Sequence, residues 1–438
     1  MALHVMDEAK LCLECRNPRC MQGCPIGTDI PGVIKLLKAG DLDGAGKKLF
    51  FNNPLTTVCA LVCNHEKQCE GHCIRGLKGS PVHFSVIESY ISATYANKMV
   101  RGPAEPNGMK AAVVGSGPAG LTIAVLLARW GYDVTIYESR NRIGGMMRYG
   151  IPNFRLPDAV LDDFQYRHLE LKNIKVRPNT TIGKTITIDD LFRDGFKAVF
   201  IGAGLWKARA MHVKGESLGN VAFGIDYLAN PRGFKNLGED IAVIGVGNSA
   251  MDCARTAIRQ GARHVTCYGR RDESCVSASS YEVSYARLEG VDFRFGVVPV
   301  EIRGNGLVCR DNVKGEDGVW RVVEGSEKLY PHTGVIVSVS QSSTYEVDTG
   351  SDGAMMRGEK GLLAVDETGA TTREGVFAGG DAVAGARTVV EAVAGAKKVA
   401  AAMDRYMKSL PRDTTPDPYA CIPVVSAPKP DALAEQRV

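Results

Sequence analysis

The 438-residue chain has no apolar run approaching the roughly 18 residues of a membrane-spanning helix. Its first ten residues, MALHVMDEAK, carry acids where a secretory leader needs an apolar core. Those two absences predict a cytoplasmic protein that does not sit in a membrane. Charge of one sign is scarce as well. The formal net charge is +4, too little over this length for a nucleic-acid-binding surface. The length itself exceeds one ordinary core, so two or three domains are expected.

Glycine and cysteine are what the chain holds in quantity, with 49 and 13 residues. In a reducing compartment disulfides are rare, so dense cysteines point to metal or redox chemistry. Eight of them fall in two blocks. CLECRNPRCMQGCP has the spacing C-x2-C-x4-C-x3-C-P, with Cys12, Cys15, Cys20 and Cys24. CALVCNHEKQCEGHC is C-x3-C-x5-C-x3-C, with Cys59, Cys63, Cys69 and Cys73. Four thiolates suit either zinc or an iron–sulfur cluster, and the spacing alone leaves both open. Cys253, Cys267, Cys275, Cys309 and Cys421 lack ligand spacing and read as ordinary thiols.

Outside the cysteine blocks, residues 1–96 read as helical. In TDIPGVIKLLKAGDLDGAGKKLF, Thr28 or Asp29 offers a cap, Pro31 sits in the tolerated first turn, and Val33, Leu36 and Leu37 form an apolar face. Residues 97–108 are rich in proline, glycine and charge and read as a linker. A proline-rich aperiodic tail begins near residue 411.

Between these lie two strand–turn–helix–strand units, which predict two nucleotide-binding domains. In KAAVVGSGPAGLTIAVLLARWGYDVTIYE, Gly115, Gly117 and Gly120 form G-x-G-x-x-G around Ser116, Pro118 and Ala119. The first glycine permits the tight turn, the second lets backbone approach a pyrophosphate, and the third lets helix pack on strand. Unpaired N–H groups at the helix start hold the phosphates. Glu138 ends the second strand, 23 residues after Gly115, where an acid meets ribose hydroxyls.

DIAVIGVGNSAMDCARTAIRQGARHVTCYGRR repeats the design, with Gly245, Gly247 and Ala250 around Asn248 and Ser249. Arg270 and Arg271 stand where Glu138 stood in the first unit. Guanidinium groups fork onto a 2′-phosphate that an acid would repel, so this site is expected to prefer NADPH to NADH. Neither unit holds a C-x-x-C or C-x4-C pair, which argues against a redox disulfide.

The stretches IGGMMRYGIPNFRLP and GVFAGGDAVAGARTVVEAVAGAKKVAAAM resemble the flavoproteins with two dinucleotide-binding domains. That resemblance implies FAD at the first site, with Gly145, Met146, Gly150 and Ile151 beside it. It also places Gly380 and Asp381 on the ribityl chain, and Val389 at the start of a helix aimed at the isoalloxazine ring. A flavin without a disulfide needs a one-electron outlet, which zinc cannot provide and iron–sulfur clusters can. Two [4Fe–4S] clusters are therefore expected.

Together with both cysteine blocks, NPLTTVC, YGIPNFRLP, GVGNSAMDCAR and FAGGDA make residues 8–408 similar to the small (beta) subunit family of NADPH-dependent glutamate synthase. The amino-terminal part of dihydropyrimidine dehydrogenase and the large subunit of electron-bifurcating transhydrogenases are similar too. The chain departs from the family's usual Tyr-Arg-Arg with Gly269-Arg270-Arg271, and from its Met-Pro-Ala with Val276-Ser277-Ala278. The resemblance implies Cys12, Cys15, Cys20 and Cys73 on one cluster, and Cys24, Cys63 and Cys69 on the other. Its eighth ligand is Cys59 or, as an acid from the next helix, Glu88 in FSVIESYI.

The expected fold class is α/β, with two Rossmann-like dinucleotide-binding domains preceded by a mainly α-helical iron–sulfur domain. Residues 1–108 form the cluster domain, 109–225 and 350–410 the split FAD-binding domain, 226–349 the inserted NADPH-binding domain, and 411–438 a tail. The expected activity passes electrons from NADPH through FAD to the clusters and on to a partner subunit or ferredoxin. No residue is assigned as a catalytic acid or base. A self-sufficient NAD(P)H-dependent reductase of a small molecule or ferredoxin is the alternative, and a redox sensor a remote one, since no effector domain is visible.

Overall fold

The computed structural model describes residues 4–96, 105–169, 173–343, 347–353 and 355–411. Most of the expected linker, the tail beyond Pro411, and Cys421 lie outside the described residues.

The amino-terminal region is helical around the cysteine blocks, chiefly in Val5–Lys10, Ile30–Lys38, Leu42–Asn52, Thr56–Val62 and Phe84–Ala96. Asp29, not Thr28, caps the second of these, accepting from the Gly32 N–H at 3.1 Å. Such a cap contributes about 1 kcal/mol. Val33, Ile34 and Leu37 then turn inward onto Leu49, Ile87 and Ile91. Helix Thr56–Val62 points elsewhere. Its Val58, with Leu55 just before it, is buried in the core of the next unit, so the cysteine-bearing region is welded to that unit.

That unit is a five-stranded sheet ordered Val376–Ala378, Phe196–Ile201, Lys110–Val114, Asp133–Tyr137 and Ile174–Arg177. Every pairing is parallel. A parallel sheet is covered on both faces, and side chains alternate between them. Ala111 and Val113 face helices Pro118–Arg129 and Val389–Ser409, while Ala112 and Val114 face Ile188, Leu191 and Leu363. Ala392, Ala396 and Ala400 keep the long last helix close to its neighbour.

A second parallel sheet runs Val221–Phe223, Gly334–Val337, Asp240–Ile244, His264–Gly269 and Val291–Phe295. Helix Asn248–Arg259 covers one face through Met251 and Ala254. The other face meets a four-stranded antiparallel sheet built from Val297–Arg303, Gly306–Lys314, Trp320–Val322 and Lys328–Pro331.

The chain crosses between the two units in an antiparallel ribbon that pairs Lys207–Ala208 with Gln341–Ser342. Strand Val221–Phe223 belongs to the second sheet, whereas Val347 packs with the first unit. We therefore place the inserted domain between the ribbon strands; a limit of 226 would cut the edge strand Val221–Phe223 from its sheet, and one of 349 would take Val347 from the first unit. Among the described residues no helix is long and apolar enough to cross a membrane.

Candidate functional site

The two glycine turns face each other across one cleft of about 1720 Å³. Strand Lys110–Val114 ends in Gly115 at φ +93°, where a Cβ would meet the Gly202 carbonyl oxygen at 2.6 Å. A Cβ on Gly120 would reach the Gly115 carbonyl at 2.0 Å. Gly117 is the opposite case: a Cβ there would meet nothing within 4 Å, because its backbone borders open cleft. Helix Pro118–Arg129 begins beside it without a side-chain cap, which leaves its first N–H groups for a ligand. These features fit a pyrophosphate.

Ser116, Pro118, Ala119, Gly145, Met146, Gly150 and Ile151 line the same cleft, as do Gly380, Asp381 and Val389 from the distant carboxyl-terminal segment. Asp381 accepts from the Arg387 N–H at 3.1 Å, and burial lifts its carboxyl to about 6. Helix Val389–Ser409 starts next to it in a capping box of Thr388 and Glu391. Gly120 does not line the cleft, in keeping with its packing role. Glu138 does, yet its carboxylate is already engaged by the Ser116 N–H at 3.0 Å and the Arg140 N–H at 2.8 Å. It braces the glycine turn.

On the second sheet, Gly245 sits at φ +130°, and a Cβ would meet the Ser338 carbonyl at 2.3 Å. Gly247, Ser249 and Ala250 line the cleft alongside Asn248, whose side-chain Oδ1 accepts from the Ser279 N–H at 2.9 Å. Arg270 and Arg271 are both exposed, and neither has a carboxylate partner among the described residues. Only Arg270 borders the cleft.

Sequence spacing missed two cleft arginines. The Arg140 guanidinium packs against both Tyr149 and Trp206, 4.5 and 4.4 Å from their ring centroids. Arg155 joins the two nucleotide units, pairing with Asp252 at 2.8 Å and with Glu282 at 2.8 Å. Arg255 continues the network to Glu282 and Glu289. Burial pushes the Asp252 carboxyl up to about 6, against the pull of Arg155. Arg155→Ala should therefore strand a buried carboxylate and cost about 3–5 kcal/mol, read as a lower urea midpoint. An unchanged midpoint would show that Arg255 alone satisfies Asp252.

The first-block thiols Cys12, Cys15 and Cys20 surround a small cavity with Cys69 and Cys73. A second group gathers Cys63 with Cys59, Cys69 and Glu88, and Cys24 faces Cys69. All are free thiols. Cys59 accepts from Asn53 Nδ2 at 3.2 Å. Glu88 is buried and accepts from Thr56 Oγ1 at 2.6 Å, with no cation paired to it among the described residues. A buried carboxylate of that kind needs a metal or a proton. Thiols grouped around a volume are the donor set of a polynuclear iron–sulfur cluster. Val62 lines the dinucleotide cleft, and Cys63 of the second thiol group follows it directly in the chain.

Residues 2–100 match the family described as dihydropyrimidine dehydrogenase domain II, 4Fe-4S cluster, and residues 109–396 match pyridine nucleotide-disulphide oxidoreductase. The glutamate synthase [NADPH] small chain of Escherichia coli is 33% identical over 431 residues, covering 90% of this chain and 89% of that one. The chain belongs to the glutamate synthase small-chain family. The family is broad: the NAD-dependent dihydropyrimidine dehydrogenase subunit PreT of Escherichia coli is 31% identical over 93% of this chain and 95% of its own. Mycobacterium tuberculosis FprA, solved in complex with NADPH, shares the fold at a TM-score of 0.57 and 19% identity, covering 69% of this chain and 85% of FprA. The chain is thus an oxidoreductase with FAD and nicotinamide dinucleotide sites and an iron–sulfur domain. Among the described residues no cysteine lines the cleft: Cys253, Cys267 and Cys309 are buried in the cores and Cys275 is exposed elsewhere.

Proposed function

We propose that this chain is the electron-input subunit of a larger enzyme, receiving reducing equivalents from NADPH and delivering them to a partner subunit or ferredoxin. The observation that carries the reading is the single cleft that both glycine turns line, with Val62, the residue before Cys63, in its wall. When bound, the flavin accepts a hydride from the nicotinamide and two [4Fe–4S] clusters conduct its electrons singly.

The residues supply position and charge. The N–H groups at Gly117, Pro118's neighbour Ala119 and the helix behind them hold the flavin pyrophosphate, while Gly380 and Asp381 hold the ribityl chain and Val389 starts the helix beneath the ring. Gly245 to Ala250 hold the second pyrophosphate in the same way. Cys12, Cys15, Cys20 and Cys73 ligate one cluster. Cys24, Cys63 and Cys69 ligate the other, and the unpaired burial of Glu88 favours it over Cys59 as the fourth ligand. The relatives' names, small chain and subunit, support a partner.

Cofactor choice tests the nicotinamide half. A 2′-phosphate held by a guanidinium gains about 1.5–3 kcal/mol per charge-assisted hydrogen bond, so NADPH should exceed NADH in kcat/KM by about ten- to a hundredfold. Arg270→Ala should raise the KM for NADPH more than Arg271→Ala does, because Arg270 alone borders the cleft. The double variant should hardly alter the KM for NADH. Equal use of both dinucleotides by the wild type would refute the phosphate clamp.

A further inference from the structure

Lys397 is a half-buried cation with no carboxylate beside it among the described residues. It lies on helix Val389–Ser409, whose first residue borders the dinucleotide cleft. Eight residues separate Val389 from Lys397, about 12 Å along the helix axis. At that point the helix meets the cysteine-bearing region. The Lys397 ammonium donates to Asn52 Oδ1 at 2.6 Å, and Asn52 Nδ2 donates to Thr28 Oγ1 at 3.1 Å. The Cys24 thiol donates to that same hydroxyl at 3.4 Å. Burial lowers the lysine's pKa, and the only electrostatic influence opposing it comes from Cys24.

A desolvated ammonium is costly unless an anion repays it. A lysine stem could swing such a charge to solvent, yet here Asn52 fastens it inward. The anion it faces is supplied once Cys24 is a thiolate ligand. Glu70 and Glu88, the latter the proposed fourth ligand, lie near Cys69 and add to the negative charge of the same group.

We infer that Lys397 is the counter-charge of the iron–sulfur group held by Cys24, Cys63 and Cys69, and that it sets how readily this group takes an electron from the flavin. The inference rests on the reading of those cysteines as ligands. One electron entering the group adds one negative charge; a fixed cation nearby stabilises that state and raises the reduction potential. Because the cation rides on the helix that begins at the cleft, any shift of that helix moves the charge relative to the thiols. Lys397 is a positioning and electrostatic residue, since it touches neither dinucleotide turn.

The test is an anaerobic redox titration followed by electron paramagnetic resonance, with iron, sulfide and flavin assayed on the same samples. Lys397→Gln removes the charge while keeping a polar end for Asn52, and Lys397→Arg keeps the charge. In Lys397→Gln the reduced-to-oxidised ratio of one cluster should fall about tenfold at a given potential, a shift of about 59 mV for one electron. The second cluster and the flavin should not move, and Lys397→Arg should stay close to wild type. Lys397→Met, which also loses the hydrogen bond, should shift by a similar amount, because charge is what matters. Clusters present with an unmoved midpoint in both neutral variants would overturn the inference and leave the proposed function intact. Wild-type protein with no iron–sulfur signal would instead sink the reading of the cysteines.

Discussion

Cys63→Ala should strip about half of the iron and sulfide from anaerobically purified protein, and Cys15→Ala should strip the other half. The wild type should hold about eight irons and eight sulfides with one FAD. The two residues are chosen because they stand in different thiol groups. Cys15 lines the cavity shared by Cys12, Cys20 and Cys73, whereas Cys63 neighbours Cys59, Cys69 and Glu88. Each loss should also weaken the fold, since the free energy of binding a cluster contributes to the stability of the fold that holds it. Cys59→Ala and Glu88→Ala then separate the two candidates for the last ligand. Cys59 has Asn53 as a hydrogen-bond donor and stays satisfied without metal, while Glu88 has Thr56 and no cation. Glu88→Ala should lose iron and Cys59→Ala should retain it. Zinc in place of iron, or full iron in Cys63→Ala, would defeat the assignment.

What could be foreseen from the sequence was what backbone chemistry dictates over short spans. Gly115 and Gly245 lie at positive φ beside a carbonyl that no Cβ could clear, and their spacing to Gly120 and Ala250 follows from one helical turn. Such positions announce themselves. The Gly380-Asp381 pair did so only through resemblance, because a Gly-Asp turn by itself fits any loop. Features made by distant segments were not legible. Arg155 meets Asp252 and Glu282 across the domain boundary, and no periodicity links them. The antiparallel sheet from Val297 to Pro331 covers the second core, yet its strands are partly exposed, two of them are only three and four residues long, and the pairing is interrupted by a register shift between Pro299 and Glu301. Charge logic also reached too far: it treated Arg270 and Arg271 as equals, and only the fold shows that Arg270 faces the cleft. The choice between Thr28 and Asp29 turned on a neighbour. Thr28 accepts from Asn52 and from Cys24, so Asp29 is left to cap the helix.

The isolated chain, given NADPH, glutamine and 2-oxoglutarate, should form no glutamate, although NADPH bleaches its flavin rapidly in anaerobic stopped flow. Adding an artificial one-electron acceptor should restore steady NADPH consumption. The argument is one of division of labour. The cleft of about 1720 Å³ is bordered at both ends by glycine turns, and two dinucleotides occupy such a volume. On the proposed reading electrons leave by way of the thiol groups. Leu13, Ile74 and Leu77, next to Cys12 and Cys73, are 61%, 42% and 68% exposed, so the far side of the first group is open to an acceptor. An artificial acceptor replaces only that exit. Cys15→Ala should therefore lose acceptor-dependent turnover while keeping fast flavin bleaching, because the hydride step uses the cleft alone. Brisk turnover of a natural small molecule by the isolated wild-type chain would overturn the input-subunit reading and make it a self-sufficient reductase.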